Sequence, residues 1–205
     1  MFHRALIAAW SAVSLSLALT TAAASPTTAS ADSAVSKGCF VAGDGYLRAR
    51  LRGALDLDID WQNADMECAG GPRPTGRGVR VSIGGPLRGD GRRIRIVFGL
   101  ADVLEGNSGE AIPTNVTLLF EGERRVFATQ GDDKCMVDTL SQQRVESLGN
   151  PLAVYRVVAR GFCLGPATSL TREERVFITS FDFAGRVEFS DEDRHAPPIK
   201  NADKP

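Results

Sequence analysis

The chain has 205 residues, 24 basic and 25 acidic side chains, a formal net charge of −1, four cysteines and two histidines. A balance so near neutral leaves no electrostatic footprint for nucleic acid or an anionic membrane surface. Its histidines, His3 and His195, lie close to the two ends, which excludes a histidine-activated nucleophile and histidine-rich metal centres from the body of the chain.

The first residues predict export. Met1-Phe2-His3-Arg4 is short and basic, residues 5–19 are nearly uncharged and rich in Ala, Leu, Ile and Val, and residues 20–31 turn small and polar. That order is the pattern of a cleavable signal peptide. The apolar run is diluted by Ser11, Ser14 and Ser16 and is shorter than the roughly 20 residues needed to span a bilayer. Cleavage fits after Ala24 or after Ala31. The second is preferred, so residues 1–31 are read as signal peptide, with no transmembrane span after its removal. Among charged residues only Arg4 leaves with it, so the mature chain keeps 23 basic and 25 acidic residues, a net of −2. Residues 32–190 are then expected to form one domain, in a size range that buries about 70% of its unfolded surface.

Lysine is confined to Lys37, Lys134, Lys200 and Lys204. With abundant Ala and Gly, this arginine bias is the compositional habit of a GC-rich bacterial genome. The expected location is periplasmic or secreted. Cys39 lies too far beyond Leu19 to be a lipid-attachment cysteine, because such a cysteine follows directly on the apolar run. An even count of cysteines in an exported chain favours disulfides. Of three pairings, Cys39–Cys68 and Cys135–Cys163 are preferred, each closing a loop of about 30 residues around neighbouring strands and contributing about 3.5 kcal/mol in the chain-entropy model. A four-cysteine zinc site lacks the close spacing that such sites use.

From residue 47 onward apolar side chains recur every second position, the period of half-buried strands. Leu47, Ala49 and Leu51 alternate with Arg48, Arg50 and Arg52; Leu55, Leu57, Ile59 and Trp61 alternate with Asp56, Asp58 and Asp60. This stretch fits a hairpin that places each arginine opposite an aspartate, or one long strand kinked at Gly53. The long strand is expected, because a three-residue hairpin loop usually carries Gly last and here Gly is first. Further strands are predicted at 79–83, 93–100, 116–121, 124–129, 135–140, 154–162, 175–183 and 186–189, about ten in all. Turns rich in Gly, Pro, Asp and Asn separate them, among them Gly70-Gly71-Pro72, residues 84–91, Gly106-Asn107 and Gly122-Glu123. At most one or two short helical turns are expected, at 100–104 and 140–148. Many short strands without crossover helices predict an all-β, antiparallel β-sandwich, with a closed β-barrel as the alternative. Residues 191–205 are polar and proline-bearing and read as a disordered tail.

Asp56, Asp58 and Asp60, with Glu67 eleven residues after Asp56, approach the spacing of a calcium loop. Its sixth position, which needs Gly for a sharp turn, is Trp61. A solvated acidic strand face is the better reading. A looser calcium site, using Asp60, Asn63, Asp65 and Glu67, is the one metal candidate. Arg88-Gly89-Asp90 matches an integrin-binding tripeptide but reads as a hairpin turn. Asn115-Val116-Thr117 has the form of a glycosylation sequon and starts a predicted strand. Phe177, Thr179, Phe181 and Phe183, followed by Val187 and Phe189, read as the core between two sheets; lining an apolar cavity is the alternative.

The functional expectation is a non-enzymatic binding or structural module, without cofactor or catalytic residues, whose partner is a protein or small ligand. Loops 70–78 and 104–114 are the expected binding surface. The alternatives are a barrel-shaped carrier of small apolar ligands and a hydrolase using two carboxylates.

Overall fold

The computed structural model describes residues 38–75, 77–89, 91–145 and 152–190. The predicted signal peptide and C-terminal tail lie outside the described residues. Among the described residues eleven strands follow in chain order: β1 (Tyr46–Gly53), β2 (Leu57–Gln62), β3 (Glu67–Pro72), β4 (Gly78–Pro86), β5 (Arg93–Ala101), β6 (Gly109–Phe120), β7 (Val126–Ala128), β8 (Cys135–Val145), β9 (Ala153–Cys163), β10 (Ala167–Ser169) and β11 (Arg175–Phe189). One 3-10 turn, Asn63–Asp65, joins β2 to β3. No helix among the described residues is long and apolar enough to cross a membrane.

All pairings are antiparallel, and the strands form one sheet. β7 and β8 both pair with β6, and β9 and β10 both pair with β11. Each couple therefore fills a single strand position broken by a short excursion. The sheet then runs β2, β1, β11, β9 with β10, β8 with β7, β6, β5, β4, β3. It curls until β3 lies against the C-terminal half of β11 without strand pairing between them. Gly70 makes that approach: a Cβ there would overlap the Arg186 carbonyl of β11. Gly70 and Gly71, expected in a turn, are thus strand residues, small because another backbone comes close.

The concave faces pack together as in a sandwich. Phe98 of β5 meets Phe183 and Phe181 of β11 at ring-centroid distances of 4.5 and 5.0 Å. Leu47, Leu51, Val81, Ile83, Ile96 and Leu118 fill the space around them. Aromatic and aliphatic burial on this scale is the main source of the fold's stability. This antiparallel β architecture with a filled interior is the expected one.

Residues 46–62 form the hairpin and not the long strand. Leu47 pairs with Trp61, Arg48 with Asp60, Ala49 with Ile59, Arg50 with Asp58 and Leu51 with Leu57. Gly53 supplies the turn from the first position, with φ +107°, and the Ala54 N–H donates to the Arg175 carbonyl of β11 at 2.9 Å. The neighbouring strand fixes the reversal that loop statistics argued against.

Neither helical candidate forms within the described residues. Asp102, at φ 56°, turns the chain after β5, and residues 140–145 continue β8, paired to β9. The predicted strands 175–183 and 186–189 are one strand, β11. Its aromatic row also breaks: Arg50 pairs with Ser180 and Leu51 with Ile178, so Thr179 is an extra residue. That bulge exchanges the faces, and Phe177 is exposed while Phe181 and Phe183 are buried. Both expected loops are shorter than predicted, because β3 extends to Pro72 and β6 begins at Gly109.

Candidate binding surface

Before β1, the chain makes a loop over residues 38–45 that is held on two sides. Cys39 is bonded to Cys68 of β3. The carboxamide of Asn63, in the turn after β2, takes up four backbone groups of the loop. Its Oδ1 accepts from the N–H groups of Cys39, Phe40 and Gly45 at 3.1, 2.9 and 3.3 Å, and its Nδ2 donates to the Phe40 carbonyl at 2.8 Å. The Gly43 N–H closes a turn on the same carbonyl at 3.1 Å. Cys39 and Phe40 are buried by this arrangement, and Val41 is left fully exposed at the loop's apex.

Val41 borders an open cleft of about 740 Å³ between this loop and the ends of β8, β9 and β11. Phe40, Ala42, Val145 and Val154 contribute apolar surface to the cleft, and Arg144, Arg156 and Arg186 contribute charge. Arg156 is tied to the loop: its Nε lies 2.7 Å from the Asp44 carboxylate and its Nη2 donates to the Asp44 carbonyl at 3.0 Å. Arg186 pairs with Glu188 at 2.6 Å. Arg144 is exposed and pairs with no acid among the described residues. The cleft thus combines an aliphatic floor with a surplus of positive charge.

A second, shallower groove of about 510 Å³ crosses the outer face of β2, β1, β11 and β9. Arg48 lies 3.5 Å from Asp60, and Arg52 holds Asp58 at 2.7 Å and Asp56 at 3.3 Å. Tyr46 donates from its hydroxyl to Asp182 at 2.8 Å. Burial, and then this hydrogen bond, push the Tyr46 phenol above its ordinary range.

The four calcium candidates do not converge. Asp60 faces Arg48. Asn63 is spent on loop backbone, and Asp65 accepts from the Gln62 N–H at 2.9 Å, capping the 3-10 turn. Glu67 closes a four-membered ionic ring with Arg93 (2.9 Å) and Arg95 (3.2 Å), and Glu121 completes it at 2.9 Å from Arg93 and 2.7 Å from Arg95. Among the described residues no three acidic, histidine or cysteine side chains gather as a metal site. Arg88 and Gly89 sit in the β4–β5 turn; Asp90 lies outside the described residues. Asn115 does not start a strand but lies in the middle of β6, where its amide donates to Asp132, which Arg73 also grips through two bonds of 3.0 and 2.9 Å. Cys39–Cys68 and Cys135–Cys163 are both formed.

Sequence reasoning singled out Asn63 for an oxygen placed on a turn. The atom matters, but its partners are N–H groups and not a cation. The Arg73–Asp132–Asn115 cluster gave no signal, since its members are 59 and 17 residues apart.

The geometry defines the class, a disulfide-stapled antiparallel β domain with a braced N-terminal loop. Comparison with protein-family models, curated proteins and solved structures finds no match.

Proposed function

We propose that the protein is a non-enzymatic binding module of the cell envelope or extracellular space, and that it binds through the cleft beside Val41. The observation that carries this reading is an exposed valine on a loop held by a disulfide and four hydrogen bonds, facing a cleft with three guanidinium groups. A loop braced so heavily loses little entropy when it binds, which favours affinity. Its chemistry suits a ligand or partner segment that joins an aliphatic or aromatic group to an anion. Two disulfides fit an oxidising compartment, and the predicted signal peptide fits export into one.

The filled interior around Phe98, Phe181 and Phe183 argues against an internal apolar cavity, and so against the carrier. Glu67 and Glu121 share two arginines, which suits a brace across β3, β5 and the end of β6 better than an acid–base pair for hydrolysis.

The test uses anilinonaphthalene sulfonate, a probe that joins an aromatic body to an anion. The mature protein should bind one equivalent with saturable fluorescence enhancement. Val41→Asp and Arg144→Glu should each weaken binding at least fivefold while leaving the melting temperature unchanged. Equal binding by wild type and both variants would overturn the assignment of the cleft.

A further inference from the structure

The outer face of the sheet alternates in charge across the strands. Strand register sets Arg160 of β9 beside Asp182 of β11, Asp182 beside Arg48 of β1, and Arg48 beside Asp60 of β2. In the neighbouring row Ser180 is followed by Arg50 and then Asp58. Both of these rows end on an acid at β2, the next outer row running from Ala184 through Tyr46 to Gln62, and β2 is the end of the sheet, since β1 is its one strand partner among the described residues. Its far edge therefore presents a row of backbone donors and acceptors without a strand beside it. Asp58 and Asp60 project along that edge with two-thirds and three-fifths of their side-chain surface exposed. Each is held by arginine from the β1 side, and a carboxylate keeps further acceptor sites for a second donor.

Acids on an edge strand repel most incoming strands, and that is their ordinary protective role. They would also repel a second copy of this chain, because antiparallel pairing of two β2 strands about Ile59 sets Asp58 of each against Asp60 of the other. They do not repel a basic strand. We propose that the free edge of β2 receives an extended segment of a partner protein in which Lys or Arg alternates with apolar residues, extending the sheet by strand addition. Its cations fall on the outer face opposite Asp58 and Asp60, the next step in the alternation already running from β9 to β2. Its apolar residues fall on the side of Ile59 and Trp61. Six residues of β2 set the length of the paired segment at about 20 Å. This surface is separate from the cleft beside Val41, and its test does not depend on that cleft.

The probe is a fluorescein-labelled nonapeptide of alternating Arg and Val. It is compared with a peptide of the same composition in two blocks and with an alternating Glu–Val peptide. The alternating basic peptide should bind by fluorescence anisotropy, weaken with added salt, and slow amide exchange across residues 57–62 at least tenfold at saturation. The block peptide should bind at least tenfold more weakly, and the Glu–Val peptide should not bind. Replacing Asp58→Asn together with Asp60→Asn should reduce affinity about tenfold with the melting temperature retained. Equal binding of the block peptide would mean bulk charge alone and would overturn the proposal. So would unchanged exchange in β2, preferential binding of the Glu–Val peptide, or self-association through β2.

Discussion

Asn63→Ala isolates the brace of the N-terminal loop. The substitution removes four hydrogen bonds, three accepted by Oδ1 and one donated by Nδ2. At about 0.5–1.5 kcal/mol net for each, the gross loss is about 2–6 kcal/mol. Asn63 is half-buried, so water reaches part of the vacated space and takes up some of the freed groups. The expected loss is therefore about 3 kcal/mol. For a domain of this size that is a fall of about 6–12 °C in melting temperature. Asn63→Asp is the informative companion. It keeps the acceptor, now charged and stronger, and loses the donor to Phe40, so it should fall between wild type and alanine. Thermal and urea unfolding with both disulfides intact gives the stabilities, and amide exchange at Phe40 and Gly45 locates the change. An alanine variant melting within about 2 °C of wild type would refute this account of the loop, as would an aspartate variant no better than alanine.

Gly70→Ala tests the close approach of β3 to β11. Its Cβ would overlap the Arg186 carbonyl and lie 2.8 Å from the Arg80 carbonyl, so a loss of about 1–3 kcal/mol is expected. At Gly71 the nearest atom, the Glu188 carbonyl oxygen, is 3.4 Å away, and alanine there should cost about 1 kcal/mol or less. Urea unfolding compares the two, and equal losses would count against the packing described. Tyr46 makes a pH prediction. Its phenol is raised by burial and by Asp182, so the folded state keeps a proton at a pH where the unfolded chain has begun to release it. The associated stability is complete below the unfolded value of about 10 and is lost as pH rises through the folded value. Tyr46→Phe should flatten that alkaline loss, and an unchanged slope between the variants would dismiss the idea.

Period-two alternation reveals strands without revealing what covers them, and the differences between expectation and structure follow from that. The alternation of Leu47, Ala49 and Leu51 with arginines gave β1 and its faces correctly. It was silent on Gly53, whose reversal is held by Arg175, more than a hundred residues away. Phe177, Phe181 and Phe183 keep one parity in sequence. Thr179 breaks it in the structure because the partner strand β1 is one residue shorter across that span. Gly70 and Gly71 look like a turn in a one-dimensional reading, since a glycine needed for a neighbouring backbone has no local marker. The disulfide pairing was legible because closing two loops of similar length around adjacent strands is itself a local rule. The Val41 cleft was not, since its two walls are about a hundred residues apart and the predicted loops lay elsewhere.

The two disulfides sit where the strand pairing ends. Cys135 opens β8 and Cys163 closes β9, and the two are direct cross-strand partners. Beyond them both strand positions break before resuming as β7 and β10. The covalent link thus holds the pair at the end where the ladder gives way to a turn, in which the Lys134 carbonyl accepts from the Leu164 and Gly165 N–H groups at 2.7 and 3.1 Å. Cys39–Cys68 answers a different gap. β3 faces β11 without pairing to it, so backbone hydrogen bonds do not close the curled sheet, and this disulfide ties β3 to the segment that leads into β1. A ladder bond opens and recloses independently of the global fold near a strand end. A covalent bond at that end removes the opening, which is how a domain of this length secures a sheet whose edges never meet.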